Sequence, residues 1–167
     1  KFRKTEQEVK TYQFLYLYRD FQSEAIRILL PILSSEDKNS SEKKIPSFIA
    51  AINLGLKKYF HGKVDHLRTT IQAEPIGDSN LRKNYLVVYD TVPGGTGYLK
   101  EIMRDKEVLF KIFEFALETL KNCSCQQDGN KDGCYSCIYM YSSRFELENI
   151  SRNEAIQLLK TLIESKA

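Results

Sequence analysis

The chain has 167 residues, 42% hydrophobic and 28% charged, with ten Tyr, nine Phe and no Trp. That balance excludes a wholly disordered chain and is long enough for one domain with its own core. A net charge of only +3 excludes a bulk-charge mode of nucleic-acid binding, so any such surface has to come from local clustering. No apolar run approaches the roughly 18 residues of a membrane span, and no secretory leader opens the sequence, so it reads as a soluble, cytoplasmic protein with no membrane partner. Its start, Lys1-Phe2-Arg3 without an initiator Met, reads as a piece cut from a larger protein.

In chain order, the aromatic stretch Tyr12 to Tyr18 and the apolar run Ala25 to Leu30 predict two strands. Ser34 to Lys44 (SSEDKNSSEKK) lacks any apolar anchor and predicts a solvated, mobile loop. From Pro46, the positions Phe48, Ile49, Ile52, Leu56, Tyr59 and Phe60 recur at helical spacing, with Gly62 as a stop. Leu67 to Ile76 predicts a short strand, and the continuous apolar run Tyr85 to Tyr89 predicts a central strand buried on both faces.

A glycine-rich turn, Pro93-Gly94-Gly95-Thr96-Gly97, then leads into a helical pattern from Tyr98 to Leu120, either one helix or two broken near Asp105. The last helix begins at a Ser151/Glu154 capping box and carries the stripe Ala155, Leu158, Leu159, Leu162 and Ile163. No internal repeat and no regular series of crossover units is present. The expected class is α+β over a single domain spanning 1–167, a small mixed sheet packed with several helices, plus a four-cysteine turn at 123–137.

All four cysteines fall in that turn, as Cys123-Ser-Cys125 and, eight residues later, Cys134-Tyr-Ser-Cys137. Four thiolates in two close pairs suit tetrahedral zinc, and Asp128-Gly129 and Asp132-Gly133 supply turns between them. Two disulfides are the alternative, disfavoured in an intracellular chain. A redox dithiol at Cys134/Cys137 is another, but it lacks a thioredoxin-like strand-to-helix setting. A complete thiolate set leaves no open coordination position, so the predicted Zn2+ is structural.

Lys57, Lys58, His61, Lys63 and Arg68 form a local basic cluster suited to phosphate, with a solvated helix end as the plain alternative. Gly94, Gly95, Thr96 and Gly97 open a helix and could offer backbone amides to phosphate, or could simply make a tight strand-to-helix connection. Tyr139, Tyr141 and Arg144 could stack on bases or hold phosphate, with packing of the tyrosines as the alternative. Neither a Walker A loop nor a dinucleotide fingerprint is met, and no convergent set of His and carboxylates stands at catalytic spacing.

Taken together, YDTVPGGTGYLKEI, a helix, CSC, GCYSC and a terminal helix resemble the MrfA-like zinc-binding family, formerly a domain of unknown function. The similarity is clear from Tyr85 to the end, and the helix from Pro46 to Phe60 is similar in its pattern alone. It implies a module toward the C-terminus of superfamily-two DNA helicases used in DNA repair or phage defence, with Cys123, Cys125, Cys134 and Cys137 as zinc ligands. It also implies DNA as partner, single-stranded or at a duplex junction, alongside the helicase motor of the same chain. ATP and Mg2+ belong to that motor, whose motifs are absent from these 167 residues. The fragment is thus expected to be non-catalytic, and the alternative is a zinc-stabilised module that docks a partner subunit.

Overall fold

The computed structural model describes residues 20–30, 38–77, 82–129, 131–141 and 147–165. The strand expected at Tyr12 to Tyr18 lies outside the described residues, as do positions 34–37 of the expected loop. The elements are strand β1 (Ala25–Leu29), helix α1 (Lys38–Tyr59), strands β2 (Leu67–Pro75) and β3 (Arg82–Asp90), and helices α2 (Tyr98–Arg104), α3 (Lys106–Lys121) and α4 (Arg152–Glu164).

The α+β class is present, with strand order β1-β3-β2. Both pairings are antiparallel, where a mixed sheet was expected. For β2 and β3 the cause is their connection over residues 76–81, which is long enough for a hairpin and too short for the crossover that a parallel pair needs.

β3 is central, as its apolar run predicts, but it is not buried on both faces. Burial alternates along it: Asn84, Leu86, Val88 and Asp90 are buried, while Tyr85, Val87 and Tyr89 are half-buried. Helices cover the face that carries Ile26, Leu67, Leu86 and Val88. On the other face Arg27 lies 3.6 Å above the ring of Tyr85 and pairs with Glu74 across the sheet. Tyrosine and β-branched side chains tolerate such half-burial, so an apolar run did not demand two covered faces.

One helix boundary departs from the sequence pattern, and at another the structure selects the broken of the two readings. α1 begins at Lys38, so residues 38–44 are helical where a loop was expected. Lys, Glu and Ser carry only small helix penalties, and the Ser47 hydroxyl donates to the Lys43 carbonyl at 2.5 Å, bracing the turn around Pro46. Between α2 and α3 the chain breaks at Asp105, which is extended (φ −132°, ψ 107°) and whose side chain accepts from the Glu107 amide at 2.9 Å. An N-capping aspartate thus starts a new helix inside one apolar period.

The core forms where α1, α3 and α4 meet: Phe48, Ile52 and Leu54 from α1, Ile112 and Leu120 from α3, and Leu159 from α4 are all nearly or fully inaccessible. The crossing of α1 over α3 is set by Gly55. A Cβ there would come within 2.4 Å of the Ile112 carbonyl oxygen and 3.2 Å of the Ala116 methyl. Gly55→Ala gains helix propensity but forces the helices apart, and is expected to cost about 1–3 kcal/mol net, read by urea denaturation. Stability equal to that of the wild type would mean the crossing relaxes freely.

Candidate metal centre and nucleic-acid residues

The cysteine segment starts where α3 runs out. Asn122 caps the helix, and Cys123 turns the chain to extended backbone (φ −70°, ψ 132°). A 3-10 turn over Ser124–Gln127 then carries Cys125 inward. The second pair sits on a tight turn in which the amides of Cys137 and Tyr139 both donate to the Cys134 carbonyl, each at 3.1 Å. Another 3-10 turn, Ile138–Tyr141, follows. Cys137 is fully buried, Cys125 nearly so, and Cys123 and Cys134 are half-buried.

The four sulfur atoms lie within 4.8 Å of one another. Three of the separations are 3.4 Å (Cys123 to Cys134), 3.6 Å (Cys134 to Cys137) and 3.7 Å (Cys125 to Cys137). All four thiols are free, and these spacings far exceed a disulfide of about 2.05 Å. They approach the edge of about 3.8 Å that four sulfurs adopt around one ion at Zn–S distances of about 2.3 Å. The donor set therefore fits one tetrahedral zinc ion, which would cross-link the end of α3 to the segment leading into α4 and leave no position open for substrate.

Charge distributes unevenly over the thiols. Burial pushes Cys137 well above its ordinary range, and burial likewise raises Cys125. At Cys134 burial acts in the same direction but is outweighed by hydrogen bonds from Cys123, the Ser136 amide and the other thiols, which bring it down to about 7.

At the glycine turn the Asp90 carboxylate, fully buried at the end of β3, accepts from the Val92 amide at 2.8 Å, the Thr96 amide at 2.7 Å and the Thr96 hydroxyl at 2.5 Å. The Gly94 amide donates to the Gln22 carbonyl and the Gly95 amide to the Val92 carbonyl. With the Thr96 proton directed to Asp90, the His66 Nε2–H donates to the Thr96 oxygen at 2.9 Å, tying the start of β2 to the turn. Gly94, Gly95 and Gly97 all have positive φ, and a Cβ on Gly95 would meet the Glu24 side chain at 2.4 Å. Glu24 in turn pairs with Lys100 at 2.7 Å.

The family of the MrfA Zn-binding domain, MZB, matches residues 48–138, more than half of the chain and all four cysteines. The chain belongs to that family. No curated protein matches it. Among solved structures, this MZB chain is similar to the crystal structure of DUF1998 helicase MrfA bound to DNA, with a TM-score of 0.53 and 20% identity over 77% of this chain. The MZB chain spans 15% of that helicase chain.

The expected nucleic-acid residues of this MZB chain separate into distinct places. Lys58, His61, Lys63 and Arg68 are exposed around the end of α1, where His61 takes a left-handed conformation (φ 53°). Lys57 is instead paired with Asp65 at 2.5 Å, and that pairing lowers the Asp65 pKa. Tyr139 is half-buried at the cysteine turn, edge-on to the exposed Tyr135. The Tyr141 backbone lies in the 3-10 turn, and Arg144 is outside the described residues. The two groups do not converge: Asp132 of the cysteine segment bonds the start of α4, whose Ser151 amide donates to Ser47, about 15 Å along α1 from Lys57 at ~1.5 Å per residue.

For Gly94, Gly95, Thr96 and Gly97 the geometry favours the tight connection over a phosphate cradle. The amides of Val92, Gly94, Gly95 and Thr96 are spent on protein acceptors, and the carboxylates of Asp90 and Glu24 stand where an anion would approach. Sequence reasoning missed Asp90 as the residue that fills the turn, although an Asp directly before a Thr-Val-Pro-Gly turn is a recognisable side-chain-to-backbone signal. It also missed Arg152, whose guanidinium donates to the Cys125 sulfur at 3.2 Å.

Burial would raise the Asp90 pKa, yet the hydrogen bonds from Thr96 and Val92, with His66 nearby, hold it below the ordinary 3.8. A depressed native pKa gives stability that is complete above the unfolded value and lost as pH falls through the native one. The Asp90 carboxyl carbon is thus expected to titrate below pH 3.8 by NMR. Asp90→Asn is expected to cost about 1–3 kcal/mol in urea at pH 7 by leaving turn donors poorly paired.

Proposed function

We propose that this chain is a non-catalytic, zinc-stabilised accessory domain of a superfamily-two DNA helicase. Cys123, Cys125, Cys134 and Cys137 hold one structural zinc. Exposed Lys58, His61, Lys63 and Arg68, with a lesser role for Lys57, meet the phosphates of DNA that is single-stranded or at a duplex junction. ATP, Mg2+ and the motor belong to other domains of the same cytoplasmic protein, whose setting is DNA repair or defence against phage. The observation that carries this reading is the convergence of four free thiols within 4.8 Å of one another inside the segment that matches the MZB family. The basic cluster adds weight, since its side chains are exposed and local, as phosphate contact requires.

A second reading, a zinc-stabilised module that docks a partner subunit, is favoured by Tyr135 and Met140. Tyr135 lies within the cysteine turn and Met140 just after it, and both are open to solvent, at 64% and 44% exposure.

Elemental analysis of the purified chain is expected to give one zinc per chain, and Cys134→Ser or Cys137→Ser to lose the metal together with stability, because metal-binding free energy is here folding free energy. Well under one zinc, with thiols that titrate freely in the native state, would overturn the assignment. For DNA, the double substitution Lys58→Ala/Lys63→Ala is expected to weaken binding to a single-stranded oligonucleotide. In fluorescence anisotropy the log–log salt slope should become shallower by about 0.7 for each phosphate no longer neutralised. An unchanged slope, with binding to a partner abolished by Tyr135→Ala, would favour the docking module.

A further inference from the structure

Arg152, the first residue of α4, is only 5% exposed. Its Nη1 donates to the Cys125 sulfur at 3.2 Å. The same turn of α4 is fastened to the cysteine segment twice more, by the Arg152 amide on the Asp132 carbonyl at 2.9 Å and the Asn153 amide on the Asp132 carboxylate at 3.0 Å. A buried guanidinium is strongly unfavourable unless an opposite charge meets it. Among the described residues no carboxylate forms an ion pair with Arg152, and the group its fork reaches is a cysteine sulfur. Four thiolates around a divalent ion carry a net charge of about −2, so a cation at this position is complementary to the loaded cluster, whereas against four neutral thiols it would be stranded.

We propose that Arg152 is the counter-cation of the zinc–thiolate centre: it holds Cys125 in place, slows loss of the metal, and makes docking of the first turn of α4 depend on zinc. The inference rests on the zinc reading above. It goes beyond the four ligands by assigning a positioning residue outside the cysteine segment, and it uses a hydrogen-bond donor to the sulfur as the means of tuning the site.

The test compares wild type, Arg152→Met and Arg152→Lys in the whole chain, each first assayed for zinc content. Zinc transfer to a chromogenic chelator is expected to be about tenfold or more faster in R152M than in wild type, with R152K between them. Alkylation followed by mass spectrometry is expected to find Cys125 the thiol most accelerated in R152M. A purely structural arginine would lower the melting temperature while leaving the transfer rate and the order of alkylation unchanged, and that result overturns the proposal. Should R152M fail to fold, the wild type loaded with 113Cd provides the decision. A scalar coupling between the metal and an Arg152 guanidinium proton is expected, and its absence, with that proton exchanging as fast as one on an exposed arginine, overturns it. A wild type that holds no zinc sinks the zinc reading itself, whereas a zinc-loaded wild type matched by R152M in transfer rate sinks only the role of Arg152.

Discussion

Between the end of α3 and the start of α4, the described residues of 122–151 form nothing longer than a 3-10 turn, and such a segment cannot build a core of its own. Ordering each such residue costs about 1–2 kcal/mol of backbone entropy, more than a few buried side chains return. The convergence of four thiols is the constraint that resolves this. Cys137 and Ile138 are fully buried against the helices, so the cysteine turn is continuous with the hydrophobic core. With the turn fixed, α4 has a defined starting point, and its stripe of Ala155, Leu158 and Leu159 can close over α1 and α3.

What was legible in the sequence was local. The four cysteines lie within fifteen positions, and their pairing and turn residues point to a metal site without knowledge of the fold. β3 announced itself by its apolar run, and the start of α4 by Ser151, whose hydroxyl accepts from the Glu154 amide at 3.1 Å. Only half of that capping box is used, because the Ser151 amide donates to Ser47 instead. The two polar turns that open α1 were not legible, since nothing in SSEKK separates a solvated helix from a solvated loop. Nor were the contacts that complete the sites: Arg152 meets Cys125 across 27 positions and His66 meets Thr96 across 30, distances over which no periodicity carries information.

The glycine turn shows how a motif can identify a family while its obvious chemistry is absent. Three glycines before a helix suggest an anion cradle, but the nest is already filled by an internal carboxylate. Its consequence is mechanical: β1, β2, β3 and α2 are joined at one point through Glu24, His66, Asp90 and Lys100. The exposed cations at the end of α1 sit beside this joint, while the Ser151 amide fastens the start of α4 to Ser47 nearer the other end of the same helix.

The bond between the Ser151 amide and the Ser47 hydroxyl spans 104 residues and is fully enclosed. During synthesis α1 leaves the ribosome long before α4 exists, and vectorial folding proceeds from the N-terminus. Until the last helix arrives, the acceptor side of the Ser47 hydroxyl and the groove between α1 and α3 have no mate. Closing of that seam therefore waits on the C-terminal part of the domain, so a surface prepared early is completed only by the helix made last.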